Sequence, residues 1–282
     1  MVIYTDKQLL QSFLIGEKEK GKQLGFVPTM GALHRGHLSL VERGLSENDL
    51  VVVSIFVNPT QFDNQQDLDK YPRIHKQDQK LLETLKGELV LFLPEAANLY
   101  GDSIEARRFT YDGLEHQMEG AHRKGHFDGV GTILTLLFEV VKPDCAYFGE
   151  KDFQQLQIVR KLVEKHNIPV EIIGCPIVRE ANGLAMSSRN RRLNKKEFDE
   201  ASFIYKILTE VRSRFSSESI AVLKKFVEEQ FLQHELLKLE YFEIANEKTL
   251  IPAKRKRKHN TYRAFIAVHC GSVRLIDNIA LC

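Results

Sequence analysis

Leu24-Gly25-Phe26-Val27-Pro28-Thr29-Met30-Gly31-Ala32-Leu33-His34-Arg35-Gly36-His37, followed by Leu38-Ser39-Leu40-Val41-Glu42-Arg43, reads as a strand, a glycine-bearing turn and the start of a helix. Such a turn suits a triphosphate. Glycines let the backbone approach an anion, and a helix N-terminus offers unpaired N–H groups. His34 and His37 add donors that can follow charge onto a leaving pyrophosphate. Taken alone, H-x-G-H is equally an ordinary turn. Two histidines three apart also resemble half of a metal site, but no third or fourth ligand stands at fitting spacing.

Outward from this turn, short apolar runs alternate with helix-period segments. Strands are expected at Leu24–Pro28, Leu50–Val57, Leu89–Leu93, Ala146–Phe148 and Val170–Ile173. Helices are expected near His37–Ser46, Gln77–Leu85, Gly131–Val141 and Asp152–His166. The unbroken Val51–Val57 run predicts a strand buried on both faces. Alternation of this kind gives βαβ units and an α/β, doubly wound parallel sheet, whose ligands sit beyond the carboxyl ends of the strands. Beyond residue 178 the pattern changes to two helical stretches, Lys195–Phe215 and Glu218–Leu237, and two strand-like runs, Leu239–Ile244 and Tyr262–His269. This predicts a second, smaller α+β C-terminal domain over 179–282, set as a lid on a first domain over 1–178.

The chain has 282 residues, 43% of them apolar and 28% charged, with a net charge of +2. That near balance argues against a whole-protein electrostatic grip on nucleic acid. Cys145, Cys175, Cys270 and Cys282 lie far apart and fit reduced, mostly buried thiols. No signal-peptide layout and no membrane-length apolar run is present, so a cytoplasmic protein is expected.

Three further polar loops carry chemistry. Met186-Ser187-Ser188-Arg189 offers two hydroxyls and a planar guanidinium to phosphate, or merely caps a helix. Gly149-Glu150-Lys151-Asp152 places a point charge at a helix start, while Asp152 with Gln155 also matches a capping box. Gln61, flanked by aromatics, can hydrogen-bond a small polar substrate in an apolar pocket, although Asn58-Pro59 reads equally as a plain turn.

Together with Asp69–Arg73 and Arg274–Asn278, these stretches resemble the pantothenate synthetase (pantoate–β-alanine ligase) family, adenylate-forming nucleotidyl transferases related to class I aminoacyl-tRNA synthetases. The resemblance implies a Rossmann-like N-terminal domain, a homodimer, and ATP with Mg²⁺. It implies condensation of (R)-pantoate with β-alanine through pantoyl adenylate. By similarity, ATP contacts Met30, Gly31, Ala32, Leu33, His34, Arg35, Gly36 and His37. It also contacts Gly149, Glu150, Lys151, Asp152, Val178, Met186, Ser187, Ser188 and Arg189. Gln61 and Gln155 hold pantoate, with Gln61 also near the β-alanine site. His37, His34 and Lys151 are the catalytic set, His37 as proton donor. Two departures stand out: Asp128 replaces a common Arg in His126–Val130, and Val273 replaces a common Thr. His126, Asp128, Tyr71 and Arg73 read equally as site lining or as residues that hold its walls.

Rival readings are a nucleotidyl transferase that leaves the nucleotide on its product, and an RNA-binding module using Lys254–Lys258. The basic run reads more simply as a solvated turn. His122 and His126 are four apart, but Gly125 between them disfavours a regular helical metal pair.

Overall fold

A computed structural model describes residues 1–281 of the chain. Six strands, β1 (Val2–Tyr4), β2 (Leu24–Thr29), β3 (Leu50–Ile55), β4 (Leu89–Phe92), β5 (Cys145–Gly149) and β6 (Glu171–Cys175), form one sheet. Their order is β1-β4-β3-β2-β5-β6, and every neighbouring pair is parallel. All six residues of β3 are buried. Leu50 and Val52 enter a core with Leu10, Leu134 and Leu156, whereas Val51 and Val53 enter one with Leu38, Val41 and Leu82. Each side chain so buried contributes roughly 1.5–3 kcal/mol. Helices Lys7–Glu19, His126–Val141 and Phe153–His166 cover one face, and Arg35–Glu47 and His75–Leu82 the other. The sheet is therefore doubly wound, as expected.

From β2 the chain moves to β3 on one side and later returns to β5 on the other. That reversal opens a crevice at the carboxyl ends of β2 and β5. Three antiparallel strands, β7 (Leu237–Asn246), β8 (Tyr262–Cys270) and β9 (Val273–Leu281), pack with helices Phe203–Arg214 and Ile220–Leu232 around a further core.

Several elements differ from expectation. Strand β9 is hidden in sequence because Arg274, Asp277 and Asn278 interrupt its apolar run, yet Asp277 and Asn278 are buried through hydrogen bonds. β1 and the helix Lys7–Glu19 were not expected either. The helix over Gly131–Val141 begins at His126, its early turns disguised by glycines of low helix propensity. Gly129 is required there, since a Cβ would lie 2.3 Å from the Thr60 carbonyl oxygen. Lys195–Phe215 is two helices, Lys195–Glu200 and Phe203–Arg214, and Leu237 opens β7 rather than closing a helix. Lys254–Lys258 lies exposed between β7 and β8. Cys145, Cys175 and Cys270 are free thiols, and Cys282 lies outside the described residues. Among the described residues no helix is long and apolar enough to cross a membrane.

Candidate active site

The turn after β2 is built around its two histidines. His34 caps the helix Arg35–Glu47, its Nδ1 accepting the Gly36 N–H at 3.1 Å. His37 Nδ1 accepts the His34 N–H at 3.3 Å. The rings lie 4.0 Å apart between centroids. A Cβ at Gly36 would sit 2.9 Å from the His34 ring, so only glycine admits this cap. Burial, then the charges of His37, Lys151 and Arg191, pushes His34 down to about 2. Burial and Lys151 push His37 down to about 4. Both rings are thus neutral near pH 7, and with Nδ1 accepting, each carries its proton on Nε2.

The rest of the turn departs from expectation. Ala32 and Leu33 donate their N–H groups to the buried Asp78 carboxylate at 2.9 and 2.7 Å, and Gly31 donates to Thr29 Oγ1 at 3.2 Å. Arg35 is exposed and paired with Glu42. None of these four lines the cavity. An anion there meets imidazole Nε2–H groups rather than the amides of Gly31 to Leu33, because the turn has already committed those amides.

At the end of β5, Lys151 lies 3.7 Å from Asp152 Oδ2. Asp152 makes no capping bond to the helix Phe153–His166, so the capping-box reading fails, and Gln155 lines the cavity. Glu150 stays outside the cavity wall, its carboxylate 3.7 Å from Arg263. Asn278 of β9 donates to the carbonyls of Glu150 and Lys151 at 2.9 and 2.8 Å, while Arg263 donates to Asn278 Oδ1 at 2.6 Å. From the third loop, Ser188 Oγ donates to the Ala32 carbonyl at 3.0 Å, tying that loop to the histidine turn. Ser187 Oγ accepts the Arg189 N–H at 3.3 Å, and Arg189 pairs with Asp67 at 2.8 Å.

Gln61 is buried. Its Oε1 accepts from Asn58 Nδ2 at 3.1 Å, and Asn58 also donates to the Gly129 carbonyl at 3.1 Å. The Gln61 carbonyl accepts from His126 Nδ1 at 2.8 Å. His126 and Gly129 therefore brace Gln61, while Asp128 accepts the Phe109 N–H at 3.0 Å and touches no cavity. His122 instead stacks on Tyr241, away from His126. Tyr71 lines the cavity, and Arg73 lies behind it, donating to the Tyr71 carbonyl at 3.3 Å.

One cavity of about 230 Å³ unites these loops. It brings together Met30, His34, Gly36, His37, Gly149, Lys151, Asp152, Val178, Met186, Ser187, Ser188 and Arg189, with Gln61 and Gln155. Phe56, Val130, Ile133 and Leu134 add apolar surface to the same cavity. Sequence reasoning assigned no role to Asn58, Asp67, Asp78 or Asn278. Asn58 had a local signal, three residues before Gln61, and Asn278 closes the Arg274–Asn278 stretch.

His126 carries a pH prediction. At 6% exposure, it is pushed down to about 3 by burial and the Arg123 charge. The unfolded imidazole, near 6.5, binds a proton that the fold resists. Its contribution is therefore full above 6.5 and lost as pH falls from 6.5 toward 3. Carboxylates scarcely titrate between pH 7 and 5. Over that range His126→Gln should remove about 2 kcal/mol of the wild-type stability loss, measured by urea unfolding. An identical loss in both proteins would contradict a neutral His126.

The chain matches the sequence profile of the pantoate-beta-alanine ligase family over residues 2–280. It is 54% identical over 281 residues to the pantothenate synthetase of Christiangramia forsetii, covering 100% of this chain and 99% of that one. The Flavobacterium psychrophilum pantothenate synthetase is 51% identical, with 100% of each covered. In structure it resembles the Thermus thermophilus pantothenate synthetase, with a TM-score of 0.91, 38% identity and 99% of each chain covered. The Francisella tularensis pantoate-beta-alanine ligase, solved complexed with beta-gamma ATP and β-alanine, gives 0.82 at 36% identity, covering 99% and 97%.

Proposed function

The chain belongs to the pantoate–β-alanine ligase family, and from that premise we propose that its cavity activates (R)-pantoate as pantoyl adenylate before the β-alanine amine displaces AMP. The overall reaction joins pantoate to β-alanine at the expense of ATP. The observation that carries the two-step reading is that a single cavity gathers phosphate-binding groups and hydroxyl-reading amides together. His34, His37, Lys151, Ser187 and Arg189 line it with Gln61 and Gln155, and Phe56, Val130, Ile133 and Leu134 add apolar surface. Pantoate's paired methyl groups suit the apolar surface, and its hydroxyls suit the two amides.

In the first step a pantoate carboxylate oxygen attacks the α-phosphorus and the bond to pyrophosphate breaks. A carboxylate of pKa about 4 is already ionised at neutral pH, so no base is needed. His34 and His37 serve as neutral Nε2–H donors, Lys151 as the fixed cation, and Ser187 as a hydroxyl donor. Arg189 exchanges Asp67 for phosphate. In the second step the neutral amine attacks the acyl carbon, the carbon–oxygen bond breaks, AMP leaves, and the new amide nitrogen gives up one proton to solvent.

Among the described residues no cluster of three His, Cys, Asp or Glu groups could hold a metal. The single exposed carboxylate at the shared wall, Asp152, leaves a Mg²⁺ ion to be held mainly by phosphate oxygens and water, its usual habit. Mg²⁺ would neutralise phosphate charge there. The proposal includes a division at 178/179, with residues 179–282 closing over ATP and pantoate, supported by Met186, Ser187 and Arg189 entering the cavity from beyond the division. It also includes a cytoplasmic homodimer, as the family resemblance implies.

The two-step reading is tested by ATP–pyrophosphate exchange without β-alanine. Exchange that depends on pantoate is the expected result. Exchange that appears only with the amine present would overturn an isolated first step. Asn278→Ala should slow this exchange about 10- to 100-fold by releasing the Lys151 loop, while the KM for β-alanine stays the same. A wild-type exchange rate would remove Asn278 from that positioning role.

A further inference from the structure

We propose that Arg123 is the carboxylate anchor for β-alanine at the border of this cavity, an assignment that rests on the ligase reading above. Other enclosed arginines among the described residues have close counter-charges: Arg179 holds Asp277 at 2.6 Å, Arg189 holds Asp67 at 2.8 Å, Arg263 holds Glu247 at 2.9 Å, and Arg274 holds Glu119 at 2.8 Å. Arg123 does not. Its side chain is 18% exposed, yet the nearest carboxylates are Asp63 at 3.7 Å and Glu119 at 3.9 Å. Glu119 is committed elsewhere, with both oxygens taken by Arg274 and one also by Tyr241. The guanidinium otherwise donates to His126 Nε2 at 3.2 Å and to the Gln61 carbonyl at 3.4 Å. His126, with Nδ1–H given to Gln61, offers Arg123 a lone pair but no charge.

An enclosed cation whose two nearest carboxylates stand too far off for a direct hydrogen bond is costly to keep, and a carboxylate ligand would supply paired charge-assisted bonds. Arg123 is placed for that ligand. It lines two further cavities that share Lys151 and Asp152 with the main one. It also touches the backbone of Gln61, whose side chain lines the main cavity. The two methylene groups of β-alanine would hold its amine apart from a carboxylate kept on Arg123.

The test separates the half-reactions. Arg123→Met should raise the KM for β-alanine about 10- to 100-fold, the loss of one charge-assisted contact. Pantoate-dependent pyrophosphate exchange should stay within about threefold of wild type. Arg123→Lys should recover part of the affinity. Wild type should prefer β-alanine to 3-aminopropanol, which has the same length but no carboxylate, and Arg123→Met should lose that preference by the factor lost in KM. An equal fall in exchange would make Arg123 a mere brace for Gln61 and overturn the assignment, as would an unchanged preference. Should Arg123→Met not fold, Arg123→Lys and the wild-type preference decide: equal use of the two amines by wild type overturns it. Loss of pantoate dependence in the wild-type exchange would instead overturn the ligase mechanism itself.

Discussion

His37→Ala is expected to slow single-turnover formation of pantoyl adenylate by about 10²–10³, the range for losing one preorganised donor at a developing charge. The imidazole is neutral, with its Nδ1 accepting the His34 N–H at 3.3 Å and its Nε2–H left for phosphate. The lost contribution is therefore a directed hydrogen bond rather than a full positive charge. Two corollaries follow from this geometry. First, the rate of adenylate formation should show no dependence on a histidine proton between pH 6 and 8 in the free enzyme. Second, because the ring centroids lie 4.0 Å apart, His34→Ala and His37→Ala should be less than additive in the double variant. Rapid-quench measurement of the adenylate checks each point. A wild-type rate in His37→Ala would remove the residue from the first step.

Lys151→Ala should cost on the order of 10³ in the same step, with little change in the KM for β-alanine. Lys151 is a full cation in the cavity wall, and its backbone is fixed by Asn278. Its loss has a second signature. The Lys151 charge helps hold both histidines below their ordinary value, so its removal should raise their pKa values. Stability from neutral histidine, lost as pH falls from 6.5 toward their folded values, should then be lost over a narrower range and be smaller in total. NMR titration of the imidazole Cε1–H signals reads this shift directly. Histidine titrations unmoved by Lys151→Ala would contradict the proposed electrostatic coupling.

How legible all this was in the sequence depends on the range over which each feature is encoded. The Val51–Val53 strand and the helix after His37 were readable because period and composition are local. The candidate cavity residues His34, His37, Lys151, Ser187 and Gln61 were readable because short motifs bring several polar groups to strand ends. Hydrogen-bond destinations were not. Gly31, Ala32 and Leu33 looked like anion binders, but Asp78, some 45 residues away, takes the Ala32 and Leu33 amides. Asp152 matched a capping box yet leaves the helix end uncapped, and Ser188 faces a backbone carbonyl 156 residues away. The strut from Asn278 to Lys151 spans 127 residues and crosses from the small sheet to the large one, with no local pattern to announce it.

The most direct measurement of the central claim uses pantoate labelled with ¹⁸O in its carboxylate. If that oxygen attacks the α-phosphorus, and the amine then breaks the carbon–oxygen bond, one ¹⁸O atom must end in the phosphate of AMP. An adenylate intermediate requires AMP heavier by one such atom and unlabelled pyrophosphate. Label in the pyrophosphate, or AMP with none, would contradict an adenylate intermediate.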